Sequence, residues 1–126
     1  MKVSFDEGQP IFQQIAEIIE DDILNGTYNE EDQIISNAQF SKTFQINPAT
    51  VVKGIALLVN DGILYKKRGL GMYVAAGAKQ MIMTKRRDRF FNELVLKLLD
   101  EADNLQIPID EVVAMIQARK KELNRG

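Results

Sequence analysis

Three consecutive bases, Lys66, Lys67 and Arg68, run into Gly69-Leu70-Gly71, and Ser36, Asn47, Ala49, Thr50 and Lys53 precede them in the middle of the chain. Cations and hydroxyls of these types bind phosphate oxygens, whereas amides and ammonium groups also reach base edges. Catalytic chemistry has fewer candidates. The chain holds no His and no Cys, which removes Cys–His and Ser–His nucleophile pairs, zinc sites of the usual kind, His-ligated haem and disulfides. The acidic run Glu30-Glu31-Asp32 lacks the spaced oxygen ligands of a calcium loop. The expectation is a non-enzyme with no cofactor and no metal site, and metal sensing through histidine is excluded.

The distribution of charge is more informative than its sum of −2. Residues 1–32 carry nine acids against Lys2, whereas residues 33–79 carry Lys42, Lys53, Lys66, Lys67, Arg68 and Lys79 against Asp61. Residues 80–126 are nearly balanced. A basic middle block is what a phosphate-facing surface requires, although charges in a short chain also segregate by chance. Structure decides between these alternatives.

The middle block is predicted to be a run of short helices. Pro10 opens a helical pattern with Ile11, Ile15, Ile18, Ile19 and Ile23 at spacings of three and four, stopped by Asn25-Gly26. Ser36 and Gln39 form a Ser-x-x-Gln capping box, with Ile35 and Phe40 placed for a hydrophobic staple, and the second helix ends near Phe44. Asn47 caps a third helix with Pro48 at its first position and Gly62 beyond its end. Val51, Val52, Ile55, Leu58 and Val59 are expected on its buried face, with Asn47, Thr50, Lys53 and Gly54 on the other side. Two short helices across a three-residue turn make either a helix-turn-helix or an ordinary helical hairpin. The next residues favour the first. Ile63–Lys67 and Met72–Ala75 read as two strands around Arg68-Gly69-Leu70-Gly71, a basic wing directly after the second helix of the pair.

Residues 9–75 resemble the DNA-binding domain of the GntR family of bacterial transcription regulators. The matching pieces are Pro10-Ile11-Phe12-x-x-Ile15, Ile23-Leu24-Asn25-Gly26, Ser36, Asn47-Pro48-Ala49-Thr50-Val51-Val52-Lys53, Asp61-Gly62-Ile63-Leu64 and Lys67-Arg68-Gly69-x-Gly71-x-Tyr73-Val74. The short helical tail resembles that of the YtrA-like branch. The resemblance implies a winged helix-turn-helix over 1–76 and a two-helix dimerisation region over 77–126. The fold class is then α+β and mainly helical. The DNA-binding residues carried over are Ser36, Asn47, Ala49, Thr50, Lys53, Lys67, Arg68, Gly69 and Gly71. Three positions depart from the family pattern: Ile34-Ile35 stand before Ser36 where Leu-Pro is usual, Ala38 replaces an Arg that contacts DNA, and Gly54 replaces a common Ala. Gly54 is expected to weaken the helix by about 0.5–1 kcal/mol, or to let the backbone approach DNA.

From about Lys79 a helical pattern runs without Gly or Pro to Pro108. Phe91, Val95, Leu98, Ala102 and Leu105 repeat at spacings of four and three, widened by Phe90, Leu94 and Leu99. Val112, Val113 and Ile116 lie on a second helix after Pro108. Two helices cannot bury faces this wide alone, so Phe90, Phe91, Leu94, Val95, Leu98, Leu99, Ala102, Val112, Val113 and Ile116 are expected to form a homodimer interface. Packing against the chain's own winged domain is the alternative.

The expected function is a sequence-specific transcription regulator, in sense a repressor, binding double-stranded DNA at a palindromic operator as a homodimer. A winged-helix protein-interaction module that has lost DNA binding is the alternative, motivated by Ala38. No apolar run reaches membrane-spanning length and the first residues lack a signal-peptide layout, so a cytoplasmic location without membrane contact is expected. A small-molecule effector is left unassigned.

Overall fold

The computed structural model describes residues 8–125. Met1–Glu7, part of the expected 1–76 domain, lie outside the described residues. Helix α1 (Ile11–Leu24) starts one residue later than expected: Pro10 is the capping position, and its carbonyl accepts the amides of Gln13 and Gln14. Ile15, Ala16, Ile19 and Ile23 are buried, whereas Ile11 is left largely exposed. Gly26, at φ +87°, turns the chain away from the helix end.

Helix α2 (Asn37–Phe44) is capped by Ser36, whose Oγ accepts the amide of Gln39 at 3.1 Å. The Gln39 side chain bonds Thr43 Oγ1 at 2.9 Å instead of returning to the cap, so half of the capping box is made. Gln45 at φ +54° ends the helix in the left-handed region. Helix α3 (Pro48–Asn60) follows after Gln45-Ile46-Asn47, the three-residue turn expected of a helix-turn-helix. Asn47 Oδ1 accepts the amide of Ala49 at 2.8 Å. Strands β1 (Leu64–Lys67) and β2 (Gly71–Val74) then pair antiparallel, with Leu64 opposite Val74 and Lys67 opposite Gly71.

The buried face of α3 is Val51, Gly54, Ile55 and Leu58. Two expectations are corrected here. Val52 is 50% exposed and not part of the core. Gly54 faces α1: a Cβ at Gly54 would lie 2.7 Å from the Phe12 carbonyl oxygen and 2.9 Å from Ile15 Cγ2. The glycine therefore permits a backbone-close crossing of α1 and α3, which no side chain would fit without displacement. Around it pack Ile15, Ile19, Val51, Ile55 and Leu58, joined by Phe40, Ile34, Ile63, Leu64 and Val74.

The connection between α1 and α2 adds a feature with no turn signal in the sequence. Residues 31–34 run along β2 as an irregular third strand. Glu31 donates its amide to the Val74 carbonyl at 2.8 Å, Val74 to Asp32 at 2.9 Å, and Ile34 to Met72 at 3.0 Å. The Gln33 amide reaches further. Its Nε2 donates to the Leu70 carbonyl at the wing tip, and its Oε1 accepts from the Tyr73 hydroxyl at 3.3 Å.

The chain divides into two compact units, the first ending at Thr84 and the second spanning Lys85–Gly126. The division falls beyond residue 76 because Ala78 and Ile82 of helix α4 (Ala78–Arg89) are fully buried in the first core. The expected single long helix is interrupted. A π-helical turn over Phe90–Val95 separates α4 from α5 (Leu96–Asn104), and α6 (Ile109–Arg125) follows Pro108. A wide turn re-aims the side chains that follow it, so a strict four-three repeat cannot describe one straight stripe. Within the second unit α5 packs on α6, where Ala102 and Val112 are buried. No described helix is long and apolar enough to cross a membrane.

Replacing Gly54 by Ala adds helix propensity of about 1 kcal/mol but forces a methyl group into the Phe12 carbonyl. We expect G54A to lose about 1–3 kcal/mol of stability, the range of overpacked cores. Urea unfolding measures it, and a gain in stability would contradict the close crossing.

Candidate nucleic-acid interface

The expected DNA-binding residues fall on three structural features of the first unit. The N-terminus of α2 presents Ser36, and the start of α3 presents Asn47, Ala49, Thr50 and Lys53. The hairpin tip presents Lys67, Arg68, Gly69 and Gly71. Of these, Ser36, Asn47, Ala49, Lys53, Lys67, Arg68, Gly69 and Gly71 are exposed, and Thr50 is half-buried.

Local bonding defines what each group has left to offer. Ser36 uses an oxygen lone pair on Gln39, so its hydroxyl hydrogen remains available to a phosphate oxygen. Asn47 accepts the Ala49 amide on Oδ1, which occupies one of that oxygen's two lone pairs and leaves the side-chain NH2 as a donor. Lys53 does not extend freely: its Nζ sits 4.1 Å from the centroid of the Phe12 ring, a cation–π contact between α3 and α1. Lys67 is placed similarly, 4.2 Å from the Tyr73 ring centroid. These rings hold two of the cations close to α3 and the hairpin.

The wing tip is built for backbone exposure. Leu70 donates its amide to the Lys67 carbonyl at 2.9 Å, and Gly69 and Gly71 take φ of +76° and +105°. A Cβ on Gly71 would lie 3.0 Å from Gln33 Nε2, so glycine there also makes room for the clamp on Leu70. Tyr65 and Tyr73 flank one another with ring centroids 6.0 Å apart, and the Tyr65 hydroxyl donates to the Glu31 carboxylate. That hydrogen bond raises the Tyr65 phenol above its ordinary pKa. Glu31 and Gln33 thus brace the wing from outside the hairpin. Neither carries a signal at the level of sequence, because each acts across more than thirty residues of chain.

A groove of about 390 Å3 lies between the α2 N-terminus and the wing, lined by Ser36, Asn37, Ala38, Lys66, Leu70 and Gly71 among others. It brings Ser36 and Gly71 into one place. Ala38 lines this groove with a short side chain, and Lys66 is the cation on its wall.

The second unit places its residues differently. Phe90, Phe91, Leu94, Leu98, Val113 and Ile116 are between 43% and 59% exposed, and Val95 and Leu99 are half-buried. Ala102 and Val112, expected on the same interface, are only 7% and 8% exposed and serve the internal contact of the unit.

No protein-family model matches the chain. A crystal structure of a GntR-family transcriptional regulator from Bacteroides thetaiotaomicron is 34% identical, covers 90% of this chain and 98% of its own, and superposes with a TM-score of 0.77. The transcriptional repressor YtrA of Bacillus subtilis is 26% identical in an alignment 118 residues long that covers 89% of this chain and 91% of YtrA. The DNA-binding domain of AraR, solved in complex with an operator, is 27% identical with a TM-score of 0.53, covering 60% of this chain and 90% of its own. Two further B. subtilis relatives align over 66 and 65 residues, and the chain spans only 27% of their length. Full-length similarity, the winged helix-turn-helix and the short helical tail agree: the chain belongs to the GntR family of transcription regulators.

Proposed function

We propose that the protein is a cytoplasmic, sequence-specific DNA-binding repressor that engages a two-fold operator as a homodimer. One observation carries the reading: the α2 N-terminus, the start of α3 and the glycine-rich wing form the exposed features of one compact unit, each supplying a phosphate or base donor. The operator complex of the AraR domain supports the same use of the fold. A recognition helix enters the major groove N-terminus first, where Asn47, Ala49, Thr50 and Lys53 lie. Ser36 and Arg68 supply backbone contacts that set register without reading sequence. With Ala38 in place of a cation, fewer phosphates are neutralised, so the affinity depends on Lys53, Lys66, Lys67 and Arg68.

The apolar side chains of the second unit supply the dimer surface. Six of the expected interface residues are largely exposed on a unit that buries few apolar residues of its own, and exposure on that scale marks an interaction surface. A two-fold dimer would present two reading heads to a palindrome.

Fluorescence anisotropy with a labelled duplex from the DNA upstream of the gene tests the reading. K53A combined with R68A is expected to weaken binding at least tenfold and to lower the slope of log K against log salt by about 0.9 per lost phosphate contact. Unchanged affinity and slope would remove these residues from the interface. The dimer is tested by sedimentation. The wild-type chain should run at twice its 14.3 kDa mass, and L94E should run as the monomer; a monomeric wild type contradicts the proposal.

A further inference from the structure

The exposed strip of α3 is unusual in its chemistry. Ala49, Val52, Lys53 and Ala56 recur along one helix face and are all exposed. Val52 leaves half its surface in water although it is a β-branched apolar residue beside a core already filled by Val51, Ile55 and Leu58. Lys53 is the sole charged residue between Pro48 and Asn60, and its ammonium is drawn to the Phe12 ring. Asn47 lies at the cap and not on this strip, with Oδ1 turned to the Ala49 amide.

A reading face of this composition has little with which to pair guanine. The bidentate grip on guanine takes Arg or Lys, and that on adenine takes Asn or Gln, neither of which lies on this strip. Only one base edge in the major groove offers a methyl group, the C5-methyl of thymine, and its complement is an apolar side chain. Short side chains at 49 and 56 also let the helix backbone approach the base edges. We infer that α3 reads A·T pairs chiefly through thymine methyl groups, with Ala49 and Val52 as the contacting side chains and Ala56 extending the strip. The inference rests on the DNA-binding reading above. DNA is favoured over an apolar protein partner because the strip is continuous with the donors at Asn47, Thr50 and Lys53 and with the N-terminus of α3, whose partial positive charge suits a phosphate.

The test uses the full chain and DNA alone. Duplexes selected from a random pool should carry runs of consecutive A·T pairs in each half-site. Thymines of the selected duplex are then replaced singly by deoxyuridine, which removes the methyl group and leaves base pairing intact. Two or three positions per half-site should each weaken binding about three- to fivefold, the effect of burying one methyl-sized group. V52A should abolish the response at one of those positions and keep it at the others. Binding that is indifferent to every deoxyuridine, half-sites dominated by G·C pairs, or a V52A response equal to wild type at all positions would overturn the inference. Failure to select any sequence would overturn the DNA-binding reading beneath it.

Discussion

The close crossing of α1 and α3 at Gly54 is the constraint on which the reading head depends. With the Phe12 carbonyl so near the α3 backbone, the two helices cannot slide or roll without a clash or a void. Their contact is also the most extensive between any two helices of the first unit. It determines which side of α3 is left for solvent, and hence that Ala49, Val52, Lys53 and Ala56 share the exposed face. The same crossing brings Lys53 over Phe12, so one packing contact sets both the orientation of the helix and the resting place of its single cation.

A second level of order acts on the wing. A two-stranded hairpin is marginal by itself, and here residues 31–34 complete it as a third strand while Gln33 holds the Leu70 carbonyl and Glu31 accepts from Tyr65. The tip is thereby fixed relative to the α2 N-terminus, since Ser36 follows two residues after Ile34. Helix cap, groove and wing tip belong to one hydrogen-bonded assembly, and contacts to a nucleic-acid backbone would be made from preorganised donors instead of ordered on binding.

Much of this order was readable from local chemistry. The Ser36 and Asn47 caps, the three-residue turn, and the glycines at the wing tip are decisions made within a few residues, and the structure shows each of them. The assignment of α3's faces failed for a physical reason. Gly54 has no side chain to register in an apolar pattern, yet it occupies the middle of the buried face, so the apparent centre of that face rotated towards Val52. The third strand and the Gln33 clamp were invisible because their partners are remote in sequence. The π-turn at Phe90–Val95 broke a repeat that looked continuous, and Ala102 and Val112 proved to be inside the unit. Periodicity identifies apolar positions but does not say whether a neighbour in the same chain already covers them.

The α2 N-terminus, the α3 face and the wing are proposed to act together as the surface that meets DNA. Titrating the 15N-labelled protein with an operator duplex and following amide shifts tests this most directly. Perturbations are expected to concentrate at residues 36–38, 47–53 and 66–71. Shifts confined to the apolar residues of 90–123, with the helix-turn-helix and wing unmoved, would contradict the proposal.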